Sequence, residues 1–186
     1  GRHGFRWVTP EVQHAALFRD GSALLLHRDP EKSAASIARF SEKDAQSYRA
    51  LHQRYAVELA PLLRSFLFHV PLPPAEIASR VGGEKGGELL AFAPMSISKA
   101  IDTHFEHPKM RTLFKLLAHA ITVEDEPGTG MFFPGLFSTH TTLGLPCGGA
   151  FELPRALEKL ILSLGGAVHR NAPVREVIRE NGRAAG

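Results

Sequence analysis

The chain has 186 residues, 44% of them apolar and 22% charged, with a net charge of +3. These are the proportions of an ordinary globular protein, large enough to bury a sizeable core. Lys and Arg are scattered, with no basic stripe interleaved with aromatics, which excludes nucleic-acid binding. No apolar run reaches the ~18–20 residues of a spanning helix, and the single cysteine, Cys147, leaves no internal disulfide. Together these predict a cytoplasmic protein.

Residues 5–28 read as β. Phe5, Trp7 and Val8 form a short run ended by Thr9-Pro10, and Ala15–Phe18 and Ser22–His27 flank an Asp20-Gly21 hairpin turn. The hairpin suits either the floor of a substrate pocket or a plain sheet edge. Asp29-Pro30 then supplies an N-cap and a proline at the first helical position, with Ala34, Ile37 and Phe40 facing inward. Ser41 and Asp44 form a capping box for a longer helix. Its core stripe is Tyr48, Leu51, Tyr55, Leu59, Leu62, Leu63 and Phe66, with Pro61 as a kink.

The prolines between Pro71 and Pro74 force a break. Val81–Gly87 (VGGEKGG) has no strand before it, and its Lys85 is not followed by Ser or Thr, so it reads as a flexible surface loop and not a phosphate loop. Ser96 or Ser98 opens a helix through Ile101 and Phe105. Pro108 opens another, carrying Met110, Leu113, Phe114, Leu116, Leu117 and Ile121. His104 and His107, near Asp102 and Glu106, reach only half of a metal site, and a partly exposed helix end is the expected role. Glu124–Gly130 is a loop. Met131–Phe137 carries three phenylalanines and one methionine. It can line an apolar ligand channel, touch a membrane surface as a peripheral contact, or pack in the core. His140 is either a polar group over a cofactor or, as expected, a surface or capping residue.

Leu145–Gly186 is the stretch around which the chain is organised. A Gly148-Gly149 turn leads into an amphipathic helix starting near Phe151 or Glu152, with Pro154 in its first turn. Leu157, Leu160, Ile161 and Leu164 form the stripe expected to be buried. Gly165-Gly166 stops the helix. Ala167-Val168 begins one strand, Val174, Val177 and Ile178 carry a second, and Asn181-Gly182 is a hairpin turn. A partner strand should start just after that turn. The expectation is therefore that the chain is a piece of a longer protein.

This order of motifs, P-x-G-G, L-P-R-A-L, L-G-G, V-x-x-[IV] and N-G-R-A-x-G, resembles the FAD-dependent phytoene desaturase-related oxidoreductases within the flavin amine oxidase group. The matching residues run from Pro146, Gly148 and Gly149 through Leu153–Leu157 and Leu164–Gly166 to Val174, Val177, Gly182, Arg183 and Gly186. Trp7, Phe18, Asp20-Gly21, Leu26–Asp29, Ser36, Asp44 and Tyr48 resemble the same family. Roughly 5–70 and 143–186 are covered, and 71–142 matches only in its helical, apolar character. The family's G-x-G-x-x-G strand–turn–helix is not found in these residues.

The resemblance implies an α+β fold: a mostly helical substrate-binding (cap) domain with a small antiparallel sheet over 1–145, and at 146–186 a helix and strands returning to an FAD-binding, Rossmann-like domain. It implies that Val174 meets the FAD adenine through its backbone, and that Gly148 and Gly149 allow close approach near the cofactor. The substrate would be apolar, held over a flavin that takes the hydride. No catalytic acid or base is singled out, and Cys147 reads as a small filler. The alternative is a non-catalytic helical domain that binds a hydrophobic ligand or a protein partner.

Overall fold

The computed structural model describes residues 2–60, 70, 72–121 and 125–185. In chain order they form β1 (Trp7–Val8), β2 (Val12–Leu17), β3 (Ala23–His27), α1 (Pro30–Ala38), α2 (Glu42–Leu51), a π-helical segment (His52–Glu58), α3 (Pro74–Val81), α4 (Gly83–Leu90), α5 (Ile97–His104) and α6 (Pro108–Ile121). A 3-10 turn (Thr129–Phe132), α7 (Phe133–Thr139), β4 (Leu145–Pro146), α8 (Glu152–Ser163), β5 (Arg179–Glu180) and β6 (Arg183–Ala184) follow. The fold is α+β: helices dominate, and the strands pair in three two-stranded antiparallel sheets. The chain divides into two compact units, Thr9–Gly144 and Gly1–Val8 with Leu145–Gly186. The expected roles of Pro61, Leu62, Leu63, Phe66, Pro71 and Glu124, and of the Ile121 side chain, lie outside the described residues.

In the larger unit the Asp20-Gly21 turn forms as its chemistry dictates. Gly21 takes φ +79° and donates to the Phe18 carbonyl, and the Asp20 carboxylate accepts the Ser22 N–H at 3.1 Å. The turn sets a β2–β3 register of Leu17↔Ala23 to Val12↔His27, with a bulge between Val12 and His14. Leu24 and Leu26 point into the core. The free edge of β3 is covered by α1: Ser36 accepts the Leu25 N–H at 3.0 Å, and Ser33 accepts the His27 N–H at 2.8 Å. Two serines three apart on a helix thus satisfy donors two apart on a strand, which removes an open sheet edge.

Asp29 caps α1 by accepting from the Glu31 N–H, and Ser41 caps α2 by accepting from the Asp44 N–H at 3.1 Å. Asp44 does not return the bond as a capping box would. Its buried carboxylate accepts the Glu106 N–H at 2.8 Å and the His107 N–H at 2.9 Å, ahead of α6. After Leu51 the helix widens into the π segment, closed by the Leu59 N–H on the Arg54 carbonyl. The core residues Leu51, Tyr55 and Leu59 lie four apart twice over, a spacing suited to a turn wider than 3.6 residues.

Val81 and Gly83–Gly87 are helical, which corrects the loop expected there: α3 and α4 meet across the single non-helical residue Gly82, at φ +72°. The reason is close packing. A Cβ on Gly86 would sit 2.1 Å from the Ala78 carbonyl oxygen. The glycines let two helices touch, where the same residues between periodic segments normally signal a loop. Phe105, Phe114, Phe133 and Phe137 fill the centre with Tyr48 and Tyr55; the Phe105–Phe114 and Phe114–Phe137 ring pairs both lie 5.1 Å apart. Of the Met131–Phe137 run, Phe133 and Phe137 are core and Phe132 is exposed.

In the smaller unit β1 pairs with β4 (Trp7↔Pro146, Val8↔Leu145), and the Cys147 N–H extends the ladder to the Arg6 carbonyl. α8 begins after Phe151 and ends at Gly165, φ +80°, with the Gly166 N–H closing back on the Ile161 carbonyl at 2.9 Å. The stripe expected to be buried is not. Leu157, Leu160, Ile161 and Leu164 are all exposed, Leu164 by 77%, and Ala156 is the buried residue of this helix. The helix is amphipathic as its sequence requires, but two-residue strands give this unit too little surface to cover it.

The expected strands at Ala167-Val168 and Val174–Ile178 are also corrected. The ladder is carried by Arg179↔Ala184 and Glu180↔Arg183, around Asn181 and Gly182 at φ +51° and +77°. A two-residue turn of this type pairs the residues next to it. The ladder therefore begins at Glu180 and runs out with the Ala185 N–H on the Ile178 carbonyl. The expected partner strand is present as Arg183–Ala184.

Candidate functional site

Gly148 and Gly149, at φ +93° and +99°, make a left-handed pair that side chains resist. They turn the chain from β4 into α8: the Gly149 N–H donates to the Pro146 carbonyl at 3.1 Å, and its own carbonyl accepts the Glu152 N–H at 3.2 Å. A Cβ at Gly149 would meet nothing within 4 Å, so its open side faces free space. Val174 lies in the extended stretch before β5 and is 83% exposed. Among the described residues no hydrogen bond engages its N–H or C=O. Gly149 and the stretch at Val174 thus leave backbone open, whereas a Cβ on Gly148 would lie 3.1 Å from Glu152 Cγ.

The larger unit contains a second constellation. Tyr48 on α2, His52 on the π segment, His14 on β2 and His140 just after α7 converge. The Tyr48 hydroxyl lies 2.8 Å from His140 Nε2, and the His52 and His140 rings are 6.1 Å apart. His140 Nδ1 lies 3.2 Å from both the Leu136 and Phe137 carbonyls, which can only accept. Nδ1 therefore carries the proton, Nε2 is the acceptor, and Tyr48 donates to it. His14 makes a backbone hydrogen bond with His140, while its Nε2 is buried without a partner among the described residues.

His140 is 4% exposed, which corrects the expected surface position, while the expected capping role is seen: it is the C-cap of α7, and its ring bonds the Leu136 and Phe137 carbonyls. The sequence carries the signal: Phe133, Phe137 and His140 recur at four and three, one helical face, and the first two are core. Burial, with His52 and His14 alongside, pushes the His140 imidazole down to about 3, and burial pushes the Tyr48 phenol up to about 12. Burial also lowers His14 and His52. At neutral pH the whole cluster is uncharged. Tyr48–His140 is thus a buried hydrogen-bonded pair joining α2 to the end of α7.

Glu88 on α4 anchors the π segment. It accepts from the Tyr55 hydroxyl at 2.6 Å and from Arg54 Nε at 2.7 Å. Burial pushes the Glu88 carboxyl up, and these bonds outweigh it and hold it below its ordinary value; burial and Glu88 together raise Tyr55. His104 and His107 do not converge. His104 bonds the Ala100 carbonyl and stacks on Phe133 at 4.7 Å, whereas His107 accepts the Lys109 N–H. Among the described residues no three His, Cys, Asp or Glu side chains gather as a metal site, and no helix is long and apolar enough to cross a membrane.

No family model matches the chain. It is similar to one of the subunits of limonene dehydrogenase from Castellaniella defragrans, at 28% identity across 98% of this chain. The chain spans about a third of that relative's length, 34%.

Proposed function

We propose that this chain is part of an FAD-dependent oxidoreductase of the phytoene desaturase-related kind, acting on an apolar substrate. Residues 1–145 would form its substrate-binding (cap) domain, and 146–186 the segment returning to the flavin domain. The observation that carries the reading is the similarity to a dehydrogenase subunit along almost the whole chain. The P-x-G-G turn, with its two left-handed glycines, stands within the matched length. That the relative is named for limonene, a hydrocarbon, supports the apolar substrate. When bound, the flavin supplies hydride acceptance. Val174 would offer its backbone to the adenine end, and the Gly148-Gly149 turn, open at Gly149, would allow the close approach.

The test is the flavin content of the full-length protein by absorbance and fluorescence. Bound flavin is expected in the purified protein and in Val174→Ala, which keeps the backbone groups. At least a tenfold loss of affinity is expected in Val174→Pro, which removes the N–H. A full-length protein that purifies without flavin, refuses added FAD and binds an apolar ligand would overturn the reading in favour of a carrier. Val174→Pro with undiminished affinity would remove Val174 from the site.

A further inference from the structure

The Tyr48–His140 contact joins elements far apart in the chain. His140 follows α7, Tyr48 sits on α2, and the flanking imidazoles come from β2 and from the first residue of the π segment. α7 delivers two of the central phenylalanines, Phe133 and Phe137. The ring of His140 meets Phe137 at 5.4 Å and Phe114 at 6.1 Å, so one side of it is apolar. From these juxtapositions we propose that the Tyr48–His140–His52–His14 cluster is an acid-sensitive latch, holding α7 against α2 and the π segment at neutral pH and releasing it in mild acid.

Charge with no counter-charge beside it is what would open the cluster. A proton added to His140 takes the lone pair that Tyr48 now donates to, so the phenol proton must turn away from His140, where Ser33 is the polar side chain beside the hydroxyl. The resulting cation faces His52 and His14, which are neutral at best and repel it once protonated. The carboxylates near the cluster are Asp29, the N-cap of α1, and Glu31, in its first turn. Both act on Tyr48, and Glu31 also acts on His52. At His140 burial, the two imidazoles and the two carbonyls outweigh them. The remaining neighbours are rings and the Leu136 and Phe137 carbonyls. Opening lets the imidazole take its proton in water.

The sign follows from linkage. His140 is depressed in the closed state to about 3, against an ordinary value of 6.5. Below 6.5 the open state binds the proton and the closed state does not, so closure weakens as pH falls and the weakening ends near 3. One such group makes opening easier by up to about tenfold per pH unit in that window. Burial also depresses His14 and His52, which act in the same direction.

The experiment is hydrogen exchange on the full-length protein from pH 7 to 5, followed at Phe133–Thr139 and at the β2–β3 hairpin, with intrinsic exchange rates divided out. The expected result is an opening constant for α7 that rises about tenfold or more by pH 5, while the hairpin holds, and whose slope becomes clearly shallower in His140→Gln, where only His14 and His52 still contribute. Flat α7 protection in the native protein, equal loss in the hairpin, or an undiminished slope in His140→Gln would each overturn the latch. Should His140→Gln fail to fold, ring NMR of the native protein decides. His140 must take up its proton only as the α7 amides open; titration near 6.5 in the closed state overturns the proposal. Flavin content enters none of these readings, so the latch and the proposed function fail separately.

Discussion

Asp44 shows how far a residue's role can travel from its local motif. Beside Ser41 it has the spacing of a capping box, and half of that box forms. The other half is out-competed because the turn at Phe105–His107 brings two N–H groups to the carboxylate, and two charge-assisted bonds outweigh one local one. That partner is more than sixty residues away, so no local reading could find it. Asp44→Ala should leave two part-buried donors without their acceptor and cost about 1–3 kcal/mol, against less than half of that for Asp44→Asn, which keeps one acceptor. The urea midpoint checks both. Tyr48→Phe should cost about 1–3 kcal/mol, because it strands His140 Nε2 in the core. His140 itself was within reach of the sequence, since the period that places Phe133 and Phe137 inward extends to it. The convergence of His14, His52 and Tyr48 upon it was not, because it depends on how β2, α2 and the π segment are laid together.

At the level of elements, what sequence shows well is what neighbours decide. The Asp20-Gly21 hairpin, the Asp29, Ser41 and Ser96 caps, the prolines opening α1 and α6, and the glycine end of α8 all arise within four residues. The α3–α4 pair is the opposite case. Gly82, Gly83, Gly86 and Gly87 look like a flexible link by propensity, yet Gly86 is needed as the contact point with Ala78. Gly130 plays the same part where the 3-10 turn crosses the Phe92–Met95 turn. A Cβ there would lie 2.6 Å from the Phe92 carbonyl oxygen, and the Met95 carbonyl accepts from both Gly128 and Gly130. Gly86→Ala and Gly130→Ala, helpful substitutions in an open helix or loop, should here destabilise by about 1–3 kcal/mol through overpacking against backbone. A lower thermal midpoint for both variants is the expected outcome, and a raised one would show that the helices move apart without loss.

For the whole molecule the informative feature is the face of α8. Leu157, Leu160, Ile161 and Leu164 form one continuous apolar side, exposed within a unit of two-residue strands, and Val174, Val177 and Ile178 are exposed in the same unit. The period of the helix was legible in sequence because it is a property of the helix alone. Its burial was not, because that belongs to whatever packs on it. Under the proposed function the covering surface is the flavin-binding domain, and this assigns a cost to substitutions that do little in the unit by itself. Leu157→Gln with Leu160→Gln exchanges two side chains already in contact with water here, where such changes stay within about 0.5 kcal/mol. In a full-length protein that covers this face, each should cost about 1.5–3 kcal/mol of transfer free energy, so the pair should lower the denaturant midpoint clearly and take flavin retention down with it. The comparison is internal: Leu116→Gln, on the exposed side of α6, serves as the reference for a leucine that stays in water. A double variant no more costly than that reference would mean that α8 meets solvent in the complete protein, and a reading built on an apposed flavin domain could not survive it.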